Sequence, residues 1–284
     1  MLEWSRREPL VHWGTSSWSE KGWVGPFYAK GTPPGEFLSQ YARHFSAVEA
    51  DNTYYHAPAR RLVEGWDAKT PAGFVMAAKF PRENVHGGEG PKPDPERVLV
   101  PEFVTAQARS FVETMQILGP KLGPLVLQFP YFNQSCFKTV EPFLERLEPF
   151  LLALPKGPRY AVEVRNKNWI AAPLLQLLKR TRTALVLVDL LYMPPPWELA
   201  ERHELVTGDF LYARLIGDRK AVEERTQSFD HVVVDQSERL ERWAELLARL
   251  APQVRETFAF ANNHYAGYAI DTIRDLIRRF DART

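Results

Sequence analysis

The stretch Tyr160-Ala161-Val162-Glu163-Val164-Arg165 reads as a short β-strand whose apolar run ends in charge. Side chains alternate along a strand, so Glu163 and Arg165 face one way while Val162 and Val164 face the other. A strand that is apolar on both faces until its last residues suits a parallel sheet covered by helices. The flanks agree, because residues 138–154 before it and 168–180 after it have helical period.

The same pattern recurs along the chain. Runs 10–15, 47–50, 74–79, 125–129, 184–188, 211–216 and 257–261 are likewise short and apolar or β-branched, which with 160–164 makes eight. Segment 36–45 sets Phe37, Tyr41 and Phe45 four residues apart, on one helical face. Segment 101–118 opens on Pro101 and stops at Gly119-Pro120, and 237–250 and 267–280 are further helices, the last with a stripe of Ile270, Ile273, Leu276, Ile277 and Phe280. Eight strand-helix units in 284 residues predict an α/β fold, a single (β/α)8 TIM-type barrel over residues 1–284, since that fold takes ~250 residues. A doubly wound open sheet is the competitor, yet no Gly-x-Gly-x-x-Gly turn follows any of these strands. Two connections, 81–101 and 217–235, exceed what a barrel needs, and each is either a lid over the site or a surface insertion.

Composition narrows the function. With 45% hydrophobic and 25% charged residues the chain has the make-up of a globular protein, and no run approaches the ~18 apolar residues of a membrane span. Residues 1–8 lack the apolar core of a signal peptide, and Cys136, the sole cysteine, allows no intrachain disulfide and no thiolate zinc site. A cytoplasmic protein is expected. The net charge of +1 gives no long-range attraction to nucleic acid or anionic lipid, although a local patch would escape that sum.

The chemistry is expected at the strand ends, because a barrel gathers catalytic groups at the carboxyl ends of its strands. Polar residues interrupt the apolar runs there: Glu49 and Asp51, Lys79, Gln128, Glu163 and Arg165, Asp189, Arg214, and Asn262-Asn263-His264. A pocket of both signs can grip an anion through Arg and Lys while a carboxylate moves a proton. A single buried Glu-x-Arg pair is as well explained by an ion pair that fills the barrel, and Gln128 alone by a hydrogen-bonding filler. The combination of Glu163, Arg165, Lys79 and Arg214 points to a site, since buried charge is costly to assemble.

Other constellations carry less. His86 and His264 with Glu49, Glu163 or Asp189 would suit a divalent metal, but no spaced histidine pair accompanies them, so no cofactor and no metal ligand set is expected. Paired carboxylates also fit glycoside hydrolysis, whose deciding separation is not in the sequence. Ser16, Ser17 and Cys136 have no nucleophile-elbow context. The aromatics Trp13, Trp18, Trp23, Phe27 and Tyr28 of the first connection could stack on a base or a sugar, or simply pack the loop.

These strand ends resemble the YecE-like proteins of the domain-of-unknown-function-72 group. The similarity runs in order through Gly14-Thr15-Ser16-Ser17-Trp18 with Trp23 and Phe27-Tyr28, Phe45 through Val48-Glu49 to Thr53-Tyr54-Tyr55, and Lys79 with His86. It continues through Gly123-Pro124-Leu125-Val126-Leu127-Gln128-Phe129-Pro130, Ala161-Val162-Glu163-Val164-Arg165 with Trp169, Tyr212-Ala213-Arg214-Leu215, and Asn262-Asn263 with Gly267 and Ala269. The resemblance implies a TIM-type barrel and no particular reaction. It also implies two departures, since relatives often carry Asn where this chain has Asp51 and a His-Gly pair where it has Ile216-Gly217.

The expected function is an enzyme using carboxylate acid-base chemistry on a small anionic substrate, phosphorylated or not. Glu163 would lead as acid or base with Glu49 second, and Lys79, Gln128, Arg165, Arg214, Asn262, Trp18 and Tyr55 would bind substrate. Nucleic-acid processing, metal-assisted phosphoester hydrolysis and a non-enzymatic binding barrel are the alternatives. The expected partner is a small anion, with nucleic acid less favoured and no membrane.

Overall fold

The computed structural model describes Trp4 and residues 10–284, so the residues on which the signal-peptide reading rests lie largely outside it. Eight strands form one all-parallel sheet: β1 Val11–Thr15, β2 Ala47–Ala50, β3 Val75–Lys79, β4 Leu122–Gln128, β5 Tyr160–Glu163, β6 Ala184–Leu190, β7 Phe210–Gly217 and β8 Glu256–Ala261. Their order, β1-β8-β7-β6-β5-β4-β3-β2, is that of a barrel in which each strand pairs with its sequence neighbour and β1 returns to β8. The (β/α)8 reading is therefore correct.

The helices are α1 Phe37–His44, α2 Arg60–Lys69, α3 Arg82–His86, α4 Pro101–Met115, α5 Glu141–Ala153 and α6 Ala172–Arg180. They continue with α7 Pro196–Arg202, α8 Arg219–Glu223, α9 Ser237–Leu250, α10 Asn263–Ala266 and α11 Ala269–Asp281. Sequence periodicity missed α2 and α7 because each has only two buried anchors, Val63 and Trp66 in one and Pro196 and Leu199 in the other. The helix expected over 267–280 is broken at its start by Gly267, whose φ of 105° ends α10 in the left-handed region. The stripe Ile270, Ile273, Leu276 and Phe280 is buried on α11 as its spacing requires, and Ile277 packs half-buried against the same core. No described helix is long and apolar enough to cross a membrane.

Between β1 and β2 the sheet is joined by one bridge, Ser16 with Glu49, rather than by a full ladder. Side chains fill the seam. The Tyr41 hydroxyl on α1 accepts from the Thr15 amide at 2.7 Å and donates to the Ala47 carbonyl at 3.2 Å, and Ser46 Oγ accepts from the Trp13 amide at 3.3 Å. Gly14 is required here, since a Cβ would overlap the Ala47 carbonyl oxygen.

Both long connections leave strand ends at the same face and are pinned in place. Arg146 of α5 donates to the carbonyls of Pro95 and Val98 in the first. The amides of Val233 and Val234 in the second donate to the Ala266 carbonyl. At the opposite, amino end of the barrel a cleft of about 560 Å³ opens among Leu10, Leu122, Arg159, Phe210, Arg255 and Glu256, far from the charged strand ends.

Candidate functional site

The floor of the barrel mouth is built from three strands that reach towards one another. Glu49 on β2 and Glu163 on β5 are 0% exposed and Arg214 on β7 is 1% exposed. Arg214 Nη1 donates to Glu163 Oε2 at 2.5 Å and to Gln128 Oε1 at 2.9 Å, while its Nη2 donates to Glu49 Oε1 at 2.9 Å. Local register explains the assembly. Gln128 and Glu163 are paired residues of β4 and β5, and Tyr212 lies two residues before Arg214 on the same face of β7. Tyr212 accordingly donates to Glu49 Oε2 at 2.7 Å, and Ser16 donates to Glu49 Oε1 at 2.9 Å.

Arg165, just past the end of β5, forms the next layer outward. Its Nε donates to Glu163 Oε1 at 2.5 Å and its Nη1 to the exposed Tyr192 hydroxyl at 3.3 Å. Every carboxylate oxygen of Glu49 and Glu163 is thus taken. The Gln128 amide nitrogen and Arg165 Nη2, by contrast, make no hydrogen bond among the described residues.

Burial and charge compete at each of these groups. Burial alone would raise the Glu163 carboxyl, but the charges of Arg165 and Arg214 overcome it and hold the group at about 2. Glu49 is lowered in the same way by Arg214 and Lys79 against burial. Ionised throughout the physiological range, Glu163 holds no proton to donate, and its low basicity makes it a weak acceptor.

Asp51 and Lys79 behave differently. The half-buried Asp51 carboxyl is raised, chiefly by burial, with Glu49 adding to the effect and Lys79 opposing it. Lys79, at the end of β3 and 8% exposed, is lowered by burial and by the nearby Arg214, and the carboxylates Glu49, Asp51 and Glu163 only partly offset this. Its ammonium makes no hydrogen bond and no ion pair within 4.0 Å among the described residues, and it stands 5.8 Å from the centroid of the Tyr54 ring.

Three residues singled out from the sequence do not bond to the Arg214 cluster. Asn262 caps α10, its Oδ1 accepting from the His264 amide at 2.9 Å. Trp18 packs edge-on against Trp66, and Tyr55 is exposed with its edge towards Tyr54. Of the other loop aromatics, Trp23 and Tyr28 are core residues and Trp13 packs on Phe280 of α11.

Asp189 requires a correction, for it is not among the mouth carboxylates. It is paired with Leu215, one residue beyond the inward-facing Arg214, and therefore points into the helical layer. There it accepts from Arg239 and Trp243 of α9 and from Tyr265 of α10. His86 bonds to Tyr54 at 3.0 Å and His264 to Glu223 at 3.1 Å, apart from the floor carboxylates. Among the described residues no three His, Cys, Asp or Glu side chains form a group that would hold a metal ion.

Tyr212 and Thr53 were overlooked as site residues in the sequence. Tyr212 was detectable from its spacing to Arg214. Thr53 was not, because its Oγ1 accepts from the Lys79 amide at 3.1 Å and donates to the Lys79 carbonyl at 2.7 Å across a loop.

The comparisons with known proteins agree with this architecture. The chain is 32% identical over 162 residues to the UPF0759 protein YecE of Escherichia coli K12, a stretch covering 57% of this chain and 51% of that protein, so the match spans about half of the curated relative. A DUF72 family protein of Enterococcus faecalis V583 superposes with a TM-score of 0.72 at 20% identity, covering 96% of both chains. One from Thermotoga maritima MSB8 gives 0.68 at 26% identity, covering 95% of this chain and 99% of that one. A D-tagatose 3-epimerase-like protein shares the fold at a TM-score of 0.54 and 14% identity, covering 96% and 98%. The family model described as protein of unknown function DUF72 matches residues 12–284, and the chain belongs to that family.

Proposed function

We propose that the protein is an enzyme that holds a small anionic substrate at the carboxyl end of the barrel and moves a proton on it. The observation that carries this reading is an imbalance of hydrogen-bonding capacity. The oxygens of Glu49 and Glu163 are all engaged, whereas among the described residues the Gln128 amide and one nitrogen of Arg165 have no acceptor and Lys79 has no hydrogen bond or ion pair. With Asp51 the one carboxyl near this cluster that bonds to no other described residue, a mouth whose unengaged groups are mostly donors favours an acceptor-rich ligand such as a carboxylate or phosphate group.

Within this reading, Glu49 and Glu163 hold Arg214 and Arg165 in place, and the proton is carried by Asp51. A carboxyl raised by burial is closer to the operating pH than one held at about 2, which is what general acid-base work requires. The reaction calls on no resident metal or cofactor. We place it in the cytoplasm, in keeping with a single cysteine that allows no intrachain disulfide.

Calorimetry with inorganic phosphate, acetate and small phosphate esters tests the reading. Saturable binding that weakens at least ~10-fold in Arg165→Ala, about 1.4 kcal/mol, is the expected result. Absence of binding by every anion, together with steeply salt-dependent binding of single-stranded oligonucleotides, would replace it with nucleic-acid recognition.

A further inference from the structure

Among the described residues, Lys79 at the end of β3 has no anionic partner within 4.0 Å, and neither has the half-buried Arg82 just beyond it. Arg214 is tied to Glu49 and Glu163, and Arg165 to Glu163. A lysine placed there only to neutralise charge would lie against a carboxylate. Its main chain is instead held on both sides by Thr53, whose hydroxyl also donates to the Ala50 carbonyl at 2.9 Å. That clamp joins the end of β3 to the turn that carries Asp51. The result is a nearly buried amine on a clamped main chain, close to Arg214 and to the Tyr54 ring, with no hydrogen bond or ion pair at its end among the described residues.

We propose that Lys79 Nζ is a covalent attachment point for a small anionic aldehyde or ketone, which it binds as an imine, with Asp51 carrying the proton of the dehydration step. This rests on the reading of the mouth as an anion site and adds the substrate's carbonyl group to it. Burial and the proximity of Arg214 favour the neutral amine, which is the nucleophilic form, and the raised Asp51 carboxyl retains a proton to give.

The chemistry balances without an oxidant or reductant. The Nζ lone pair forms the C–N bond as the carbonyl π pair moves to oxygen, and the proton shed by nitrogen passes to that oxygen. Asp51 then protonates the hydroxyl, the C–O bond breaks and water leaves. The nitrogen lone pair closes C=N, giving an iminium ion and an ionised Asp51. The cation so formed is stabilised by Glu49, Glu163 and Asp51, and the substrate's anionic group lies within the donor set of Arg165 and Gln128.

The test is reductive trapping on the full chain at pH 7. The protein is incubated with pyruvate or with dihydroxyacetone phosphate, cyanoborohydride is added, and adducts are located by intact mass and peptide mapping. One reduced adduct at Lys79 is expected, formed at least ~10-fold faster than at the exposed Lys30 and Lys156, because burial and the nearby Arg214 favour the neutral, nucleophilic form of Lys79 and the anion site holds the substrate beside it. Lys79→Arg should lose that adduct while keeping the wild-type circular dichroism spectrum. Should this variant fail to fold, protection of Lys79 in the wild type by excess inorganic phosphate supplies the same information. Labelling of Lys79 no faster than of Lys30 or Lys156 overturns the imine. If phosphate nevertheless binds by calorimetry, the imine alone falls; if phosphate does not bind either, the anion site falls with it.

Discussion

Arg214 and Glu163 meet at 2.5 Å although their strands, β7 and β5, are separated in the sheet by β6. The contact crosses the barrel interior instead of following the ladder. With Glu49 on the far side of the same guanidinium, it ties three non-adjacent strands together at one end. Buried charges of this kind are held by mutual compensation, so removing one member exposes the others to an uncompensated environment.

Glu163→Gln should therefore lower stability by about 3–5 kcal/mol, the usual consequence of breaking a buried pair from one side. Urea denaturation measures it. A loss under ~1 kcal/mol, the range of an exposed pair, would mean that charge is not what holds Arg214 and Arg165.

Acid should unfold the protein in two stages. His86 is held at about 4, below its ordinary 6.5, by burial and by Arg82, so it is neutral in the fold. Its contribution is complete above pH 6.5 and is lost as the pH falls through 4. The Glu163 contribution is complete above its ordinary 4.5 and is lost on the way down to about 2, a change of about 3 kcal/mol. Denaturation curves collected from pH 8 to pH 2 should show both stages, and His86→Gln should flatten only the upper one.

Tyr41→Phe should cost about 1–3 kcal/mol without altering the contour of the core. The lost hydroxyl leaves the buried Thr15 amide and Ala47 carbonyl without this partner at the seam between β1 and β2. Thermal unfolding of the variant checks this, and an unchanged midpoint would show that the seam does not depend on the phenol.

Asp189→Ala should separate stability from ligand binding. It strips Trp243 Nε1 and the Tyr265 hydroxyl of their buried acceptor and frees Arg239, for a loss of about 2–4 kcal/mol. Because Asp189 points into the helical layer, phosphate affinity measured by calorimetry should stay within ~3-fold, under 1 kcal/mol, of the wild type.

Where sequence and structure diverge, the divergence is one of pairing. The segments 160–164 and 47–50 revealed strands that end in charge, and alternation correctly put Glu163 with Arg165, whereas Asp51 lies past the end of β2 in helical backbone, where alternation no longer applies. Asp189 misled because a carboxylate at a strand end can face either the barrel or the helices, and one residue of parity decides which. Asn262 shows that a side chain at a strand end can also cap the helix that follows. The helices α2 and α7 left too weak an apolar stripe to be recognised.

The sequence by itself determined the barrel and the presence of a charged mouth. Both follow from local rules, the period-two alternation of strands and the alternation of strands with helices, which any short window contains. Only the tertiary structure decided which charges meet. Closing the barrel brings β2, β5 and β7 across one interior, joins Arg214 to Glu49 and Glu163, and leaves Lys79 facing the Tyr54 ring with no hydrogen bond or ion pair among the described residues. Those distances depend on strand register and on closure of the whole sheet, quantities that no segment of the chain carries alone.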